Sequence, residues 1–150
     1  MKNVLLVASG LLMASQVQAG PITACTAANL NGNYVMFQAA VNHHNHSGRC
    51  EISINGGVVA GNCVFGKDAN NVPGFSGPVY GSAVMNTNCS ADVTISFDPV
   101  PNVVHIDSYF DLQFSPNKES FVGSFSNTFQ VEGITNGTRY SPLLPSNPAN

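Results

Sequence analysis

The chain is 150 residues long, with eight acidic against five basic side chains, only 9% charged residues and no Trp. A formal charge of −3 lacks the basic footprint that nucleic-acid binding requires. Its four cysteines include no Cys-x-x-Cys spacing, which argues against a thiol redox enzyme or a cysteine-based zinc centre, and no cofactor is expected.

Residues 1–19 read as a secretory signal peptide. Lys2 is the positive start, Val4 to Ala14 the apolar stretch, and Val17-Gln18-Ala19 places small residues before Gly20-Pro21. That apolar run is too short to span a bilayer, and no later stretch is longer, so no transmembrane span is expected. All four cysteines follow the cleavage point, which predicts disulfides and a secreted or periplasmic location. Residues 20–140 then form one all-β domain, and residues 141–150, with three prolines and no pattern, a flexible tail.

In chain order, residues 20–30 are a lead-in held by Cys25. Tyr34 to Val41 predicts a strand with Tyr34, Met36, Gln38 and Ala40 on one face and Val35, Phe37, Ala39 and Val41 on the other; the pattern does not say which face is buried. A polar loop from Asn42 to Gly48 carries His43, His44 and His46.

Next come two β-branched runs, Glu51–Ile54 and Val58–Phe65, joined by Asn55-Gly56-Gly57. With Gly56-Gly57 as the loop pair, Asn55 faces Val58, Ile54 faces Val59, Ile52 faces Gly61 and Cys50 faces Cys63. Alternation from the turn makes Cys50–Cys63 a non-hydrogen-bonded pair, where side chains come closest and a disulfide fits. Parity places the bridge with Ile52, Ile54, Val59 and Phe65 on the apolar face. Taking Asn55-Gly56 as the loop pair instead would set Cys50 against Gly61. If Cys50–Cys63 is one bridge, Cys25–Cys89 is the other.

Gly66 to Gly74 is a loop, and Gly77 to Met85 a weak strand interrupted by Pro78 and Gly81. Asn86 to Ala91 turns. Val93, Ile95 and Phe97 alternate with Asp92, Thr94 and Ser96, and Asp98-Pro-Val-Pro-Asn102 breaks that strand. Val104, Ile106, Phe110, Leu112 and Phe114 share one parity, with Ser108 the polar member, while His105, Asp107, Tyr109, Asp111 and Gln113 take the other: a long strand with one wet face. A turn on Asn117-Lys118 sets Phe114 against Phe121 and Leu112 against Gly123. Phe121, Gly123, Phe125, Phe129 and Val131 mark the next strand, with Asn127 the exception. Gly133 and Asn136-Gly137 read as turns, with Thr138 to Tyr140 a short last strand.

About eight short strands joined by tight turns, without helical periodicity, predict an antiparallel meander. An up-and-down barrel is favoured because closure leaves no edges; a β-sandwich is the alternative. Leu30-Asn31-Gly32-Asn33-Tyr34 opening the first strand, followed by glycine-punctuated hairpins, resembles the small secreted barrels of the lipocalin and avidin kind. Those families place Trp in that motif, and this chain has none, so no binding residue is carried over. The resemblance implies a barrel whose interior or mouth holds a small apolar ligand.

Three clusters carry candidate chemistry. His43, His44 and His46 are candidate Zn²⁺ or Cu²⁺ ligands, with Glu51 the nearest carboxylate along the chain; the alternative is a solvated Asn/His loop. Phe110, Phe114, Phe121 and Phe125 are candidate ligand-lining residues or ordinary core. His105, Asp107, Tyr109 and Asp111 read as a solvent face, since one face of one strand supplies neither nucleophile nor cleft. No nucleophile elbow, zinc-protease motif or phosphate loop occurs, and a non-enzymatic protein is expected. The two functional expectations are a binding module for a small apolar ligand, and a surface or matrix protein contacting carbohydrate or protein through its outer face. Asn45-His-Ser47, Asn88-Cys-Ser90 and Asn136-Gly-Thr138 match glycosylation acceptors.

Overall fold

The computed structural model describes residues 24–42, 44–68 and 70–140; the signal-peptide assignment, the Pro-rich tail and His43 lie outside the described residues. Eight antiparallel strands follow in order: β1 (Gly32–Ala40), β2 (Ser47–Asn55), β3 (Val58–Phe65), β4 (Phe75–Met85), β5 (Ser90–Val100), β6 (Val104–Phe114), β7 (Ser120–Asn127) and β8 (Glu132–Tyr140). Each pairs with the next, and β8 pairs with β1 from Asn33↔Tyr140 to Ala40↔Gly133, closing the sheet. The barrel, not the sandwich, is the architecture. No helix among the described residues is long and apolar enough to cross a membrane.

The β2–β3 hairpin has the register the cysteines imply. Asn55 faces Val58, Ile52 faces Gly61 and Cys50 faces Cys63. Gly56 and Gly57 both have positive φ, 57° and 83°, as a two-residue turn that follows the strand twist requires. The Cα atoms of Cys50 and Cys63 are 4.0 Å apart, close to the spacing of a non-hydrogen-bonded pair. Both are buried with Ile52, Ile54 and Val59. The second bridge joins Cys25 to Cys89. On β1 the inward face is Tyr34, Met36, Gln38 and Ala40, all buried.

Three sequence expectations are corrected. Asp98-Pro99-Val100 does not end β5; the strand runs on through a register shift between Phe97 and Val100. A bulge there leaves the missing Pro99 N–H out of the ladder. The strand beginning at Phe121 stops at Asn127 and does not reach Val131. Asn127 Oδ1 accepts from the backbone N–H groups of Phe129 and Val131 at 2.9 and 3.1 Å, and Gln130 takes a positive φ of 60°. An Asx turn thus outcompetes the ladder. Gly133 and Gly137 then lie inside β8, which is nine residues long and not a three-residue stub. Their glycines serve packing: a Cβ on Gly133 would fall 2.5 Å from the Phe125 ring, and one on Gly137 2.3 Å from that of Phe121.

One end of the barrel is shut. A 3₁₀ turn, Ala27–Leu30, lies across it, with Leu30 buried and Cys25 bonded to Cys89 in the β4–β5 turn. The Tyr34 hydroxyl donates to Leu30 O at 2.9 Å, and its ring packs on Phe114 and Phe121 at 6.1 and 6.0 Å. Arg139 sits over the Tyr34 ring at 5.4 Å and donates to Asn29 O and the Tyr34 hydroxyl at 2.5 and 2.8 Å.

Two measurements check this construction. Gly133→Ala, with a Cβ 2.1 Å from Ala39 O, is expected to lower unfolding free energy by about 1–3 kcal/mol in denaturant titration. Removing Cys25–Cys89, which spans 64 residues, is expected to cost about 4 kcal/mol, against about 3 for Cys50–Cys63, which spans 13.

Candidate functional site

Successive hairpins of a meander alternate between ends, so the loops after β1, β3, β5 and β7 gather opposite the shut end. Between them the barrel opens into a cavity of about 380 Å³. Phe65, at the end of β3, is cross-strand partner of Phe75, at the start of β4. Those rings and Phe97 of β5 interlock with centroids 5.8, 5.2 and 4.7 Å apart, in the tilted geometry that aromatic quadrupoles favour. Phe65 packs against Gly48, where a Cβ would come within 2.2 Å of the ring. Val72, Val104, Ile106, Phe125, Phe129 and Val131 complete the apolar wall. Two inward polar residues interrupt it: Gln38 and Ser108, 7% and 5% exposed.

The rim is held by Asp68, in the loop after β3. Its Oδ1 accepts from the N–H groups of Asn70 and Val72 at 2.8 and 2.7 Å, and its Oδ2 pairs with His44 Nδ1 at 2.5 Å. Burial pushes the Asp68 carboxyl up, but the bonds from His44, Val72 and Asn70 outweigh it and hold the group below its ordinary value. The contact crosses from the loop after β1 to the loop after β3, fixing the rim at that point. His46 Nδ1 donates to His44 O at 2.6 Å, and its ring lies 5.9 Å from that of Phe65. Thus the carboxylate beside the histidine loop is Asp68, 24 residues from His44 in sequence; Glu51 pairs with Arg49 instead. Among the described residues, no group of three or more His, Cys, Asp or Glu side chains is placed to hold a metal ion.

The four phenylalanines singled out in the sequence are all buried and inward, and their register is Phe110↔Phe125 and Phe114↔Phe121. They divide between two places. Phe125 lines the mouth cavity, with Phe110 stacked on it at 5.5 Å. Phe114 and Phe121, 5.3 Å apart, pack under Tyr34 at the shut end, away from the opening. The rings that shape the mouth are instead Phe65, Phe75 and Phe97, which sequence reasoning did not single out. Their common signal was position: each sits where a strand meets a loop of the same end.

Two broader depressions, about 650 and 700 Å³, lie on the outer wall and include exposed residues such as Asp111 and Tyr80. The polar row of β6 also faces outward. His105 is held between Asp98 Oδ1 at 2.8 Å and Asp107 Oδ1 at 3.0 Å, and Tyr80 donates to Asp98 at 3.4 Å. Ser96 Oγ donates to Asp107, not to the imidazole. The hydrogen bond to Asp98 raises the His105 pKa; partial desolvation opposes this, and the bond to Asp107 adds to it.

No family model matches the chain, and neither does any curated protein. Two solved structures are similar to it in fold. One is a de novo designed fluorescence-activating β-barrel, 11% identical, with TM-score 0.50, covering 76% of this chain and 96% of its own. The other is a redesigned β-barrel, 14% identical, also with TM-score 0.50, covering 77% and 96%. The class this defines is the closed eight-stranded antiparallel meander barrel.

The outer-wall network makes a pH prediction. Proton NMR of the His105 ring should show a titration midpoint above the roughly 6.5 of an isolated imidazole, and Asp98→Asn should bring it down. Because the folded-state value is raised, the stabilisation is full below the unfolded-state value. It is lost as pH rises through the folded one.

Proposed function

We propose that this is an exported, non-enzymatic barrel that holds a small apolar ligand in its open mouth. The observation that carries the reading is the asymmetry of the barrel. One end is plugged by Leu30, Tyr34, Phe114 and Phe121, and the other opens into an apolar cavity of about 380 Å³. That volume lies within the roughly 300–1,000 Å³ of small-molecule sites. The His44–Asp68 contact between rim loops favours binding, because it leaves less to order when a ligand arrives. The resemblance of the sequence to barrels of the lipocalin and avidin kind supports the same reading. Two disulfides and the leader-like first 19 residues support export to an oxidising compartment.

The outer wall favours a second reading, contact with protein or carbohydrate. Phe37 and Ile134 are 48% and 60% exposed on the adjoining β1 and β8.

The mouth reading is tested with N-phenyl-1-naphthylamine, a neutral dye that brightens in apolar surroundings. Saturable binding at one dye per chain is expected. Ile106→Trp, which fills the cavity, should weaken it at least about tenfold, a loss of about 1.4 kcal/mol. Phe114→Leu, at the shut end, should leave it unchanged. Equal binding by Ile106→Trp and the parent protein would move the site to the outer wall.

A further inference from the structure

One residue lining the mouth cavity carries a buried polar atom that is left unanswered. Gln38 is 7% exposed and faces inward from β1, and its Oε1 has no hydrogen-bond partner among the described residues. A buried amide oxygen without a partner is costly and rare in folded proteins. Its neighbours do not relieve it. Gly48 opposite has no side chain, and Thr135 opposite on β8 gives its hydroxyl hydrogen to Phe37 O at 2.9 Å. Ser108, equally buried, brings a hydroxyl to the same cavity.

Resting on the mouth-cavity reading, we infer that the ligand is a neutral aromatic compound carrying a hydroxyl group. It enters hydroxyl-first, and the Gln38 amide turns toward the cavity so that the hydroxyl donates to Oε1. The charge distribution selects against the ionic alternatives. Among the described residues no Lys or Arg lines the cavity, and its two histidines are engaged at the rim, His44 Nδ1 with Asp68 and His46 Nδ1 with His44 O, so a carboxylate or phosphate head at Gln38 would be buried without an adjacent counter-charge. The lining carboxylate is Asp68, at the rim, and its oxygens already accept from His44, Asn70 and Val72, so an ammonium head reaching Gln38 would be equally unpaired. A hydroxyl matches both polar residues, since it donates to the amide oxygen and accepts from a donor such as Ser108. The rings of Phe65, Phe75, Phe97 and Phe125 then meet the aromatic body.

The test is competition against bound N-phenyl-1-naphthylamine in the disulfide-bonded protein, with three probes of nearly one shape: 2-naphthol, 2-methylnaphthalene and 2-naphthoate. Expected is displacement by 2-naphthol at about tenfold lower concentration than by 2-methylnaphthalene, and none by 2-naphthoate at neutral pH. Gln38→Leu should erase the preference while 2-methylnaphthalene binds as well or better; Gln38→Met serves as a second variant, both checked by thermal melting. Equal displacement by naphthol and methylnaphthalene in the parent protein would overturn the inference and leave the cavity reading intact. So would a preference that survives both substitutions, or tighter binding of the naphthoate. Failure of every probe, with dye binding insensitive to Ile106→Trp, would remove the cavity reading and this inference with it.

Discussion

Closure of the sheet is the constraint on which the rest depends. Pairing β8 with β1 leaves no strand edge, but eight strands close only if each coils tightly enough to bring its inward face close to its neighbour. The strands do this at glycine. A Cβ on Gly61, Gly81 or Gly123 would fall 2.1, 1.9 or 2.1 Å from the carbonyl oxygen of the adjoining strand. At Gly133 and Gly137 the absent side chain makes room for a phenylalanine ring from β7. Large and small residues on facing positions thereby fill the lower barrel, and its curvature is built into the same positions that pack it.

The two ends differ because, among the described residues, one has a plug and the other does not. The segment before β1 folds back as a 3₁₀ turn, is bonded through Cys25 to Cys89, and is clamped by Arg139 through Asn29 and Tyr34. At the other end His44–Asp68 joins the loops after β1 and β3, Asn42 joins the loop after β1 to Gln130 and Glu132, and Asn127 organises the loop after β7 from within. Stability is thus concentrated at the plugged end, and the mouth is an opening with aromatic walls. This division lets a small domain keep a core and a cavity together, since the disulfides and the plug offset the packing forgone at the mouth.

The outer wall carries polarity in a different way. Net charge is small, and several of the charged groups pair locally, as His105 does between Asp98 and Asp107 and Arg49 with Glu51. Such exposed pairs contribute little to stability. They place hydrophilic side chains along β2, β5 and β6, while β1 and β8 keep Phe37 and Ile134 exposed.

How much was legible in the sequence follows from the range over which each feature is decided. Period-two alternation revealed β6 and its two faces, and the Cys50–Cys63 register was recoverable because a tight turn and a disulfide constrain one another within 13 residues. Local rules failed where a tertiary partner outweighed them: Gly133 and Gly137 read as turns until Phe125 and Phe121 are seen lying across them, and Asn127 read as a flaw in a strand it in fact terminates. Of the site, Phe125 belonged to a recognisable aromatic series. Phe65, Phe75, Phe97, Gln38 and Asp68 did not, because their importance comes from meeting at one end of a closed barrel. By itself, then, the sequence determined an all-β chain of paired hairpins and the face each strand of clear alternation would bury, since alternation and turn chemistry act over a few residues. Which end is plugged, which rings surround an opening, and that an amide oxygen of a lining residue lies buried without a partner were decided only when β8 met β1 and brought distant residues around a common axis.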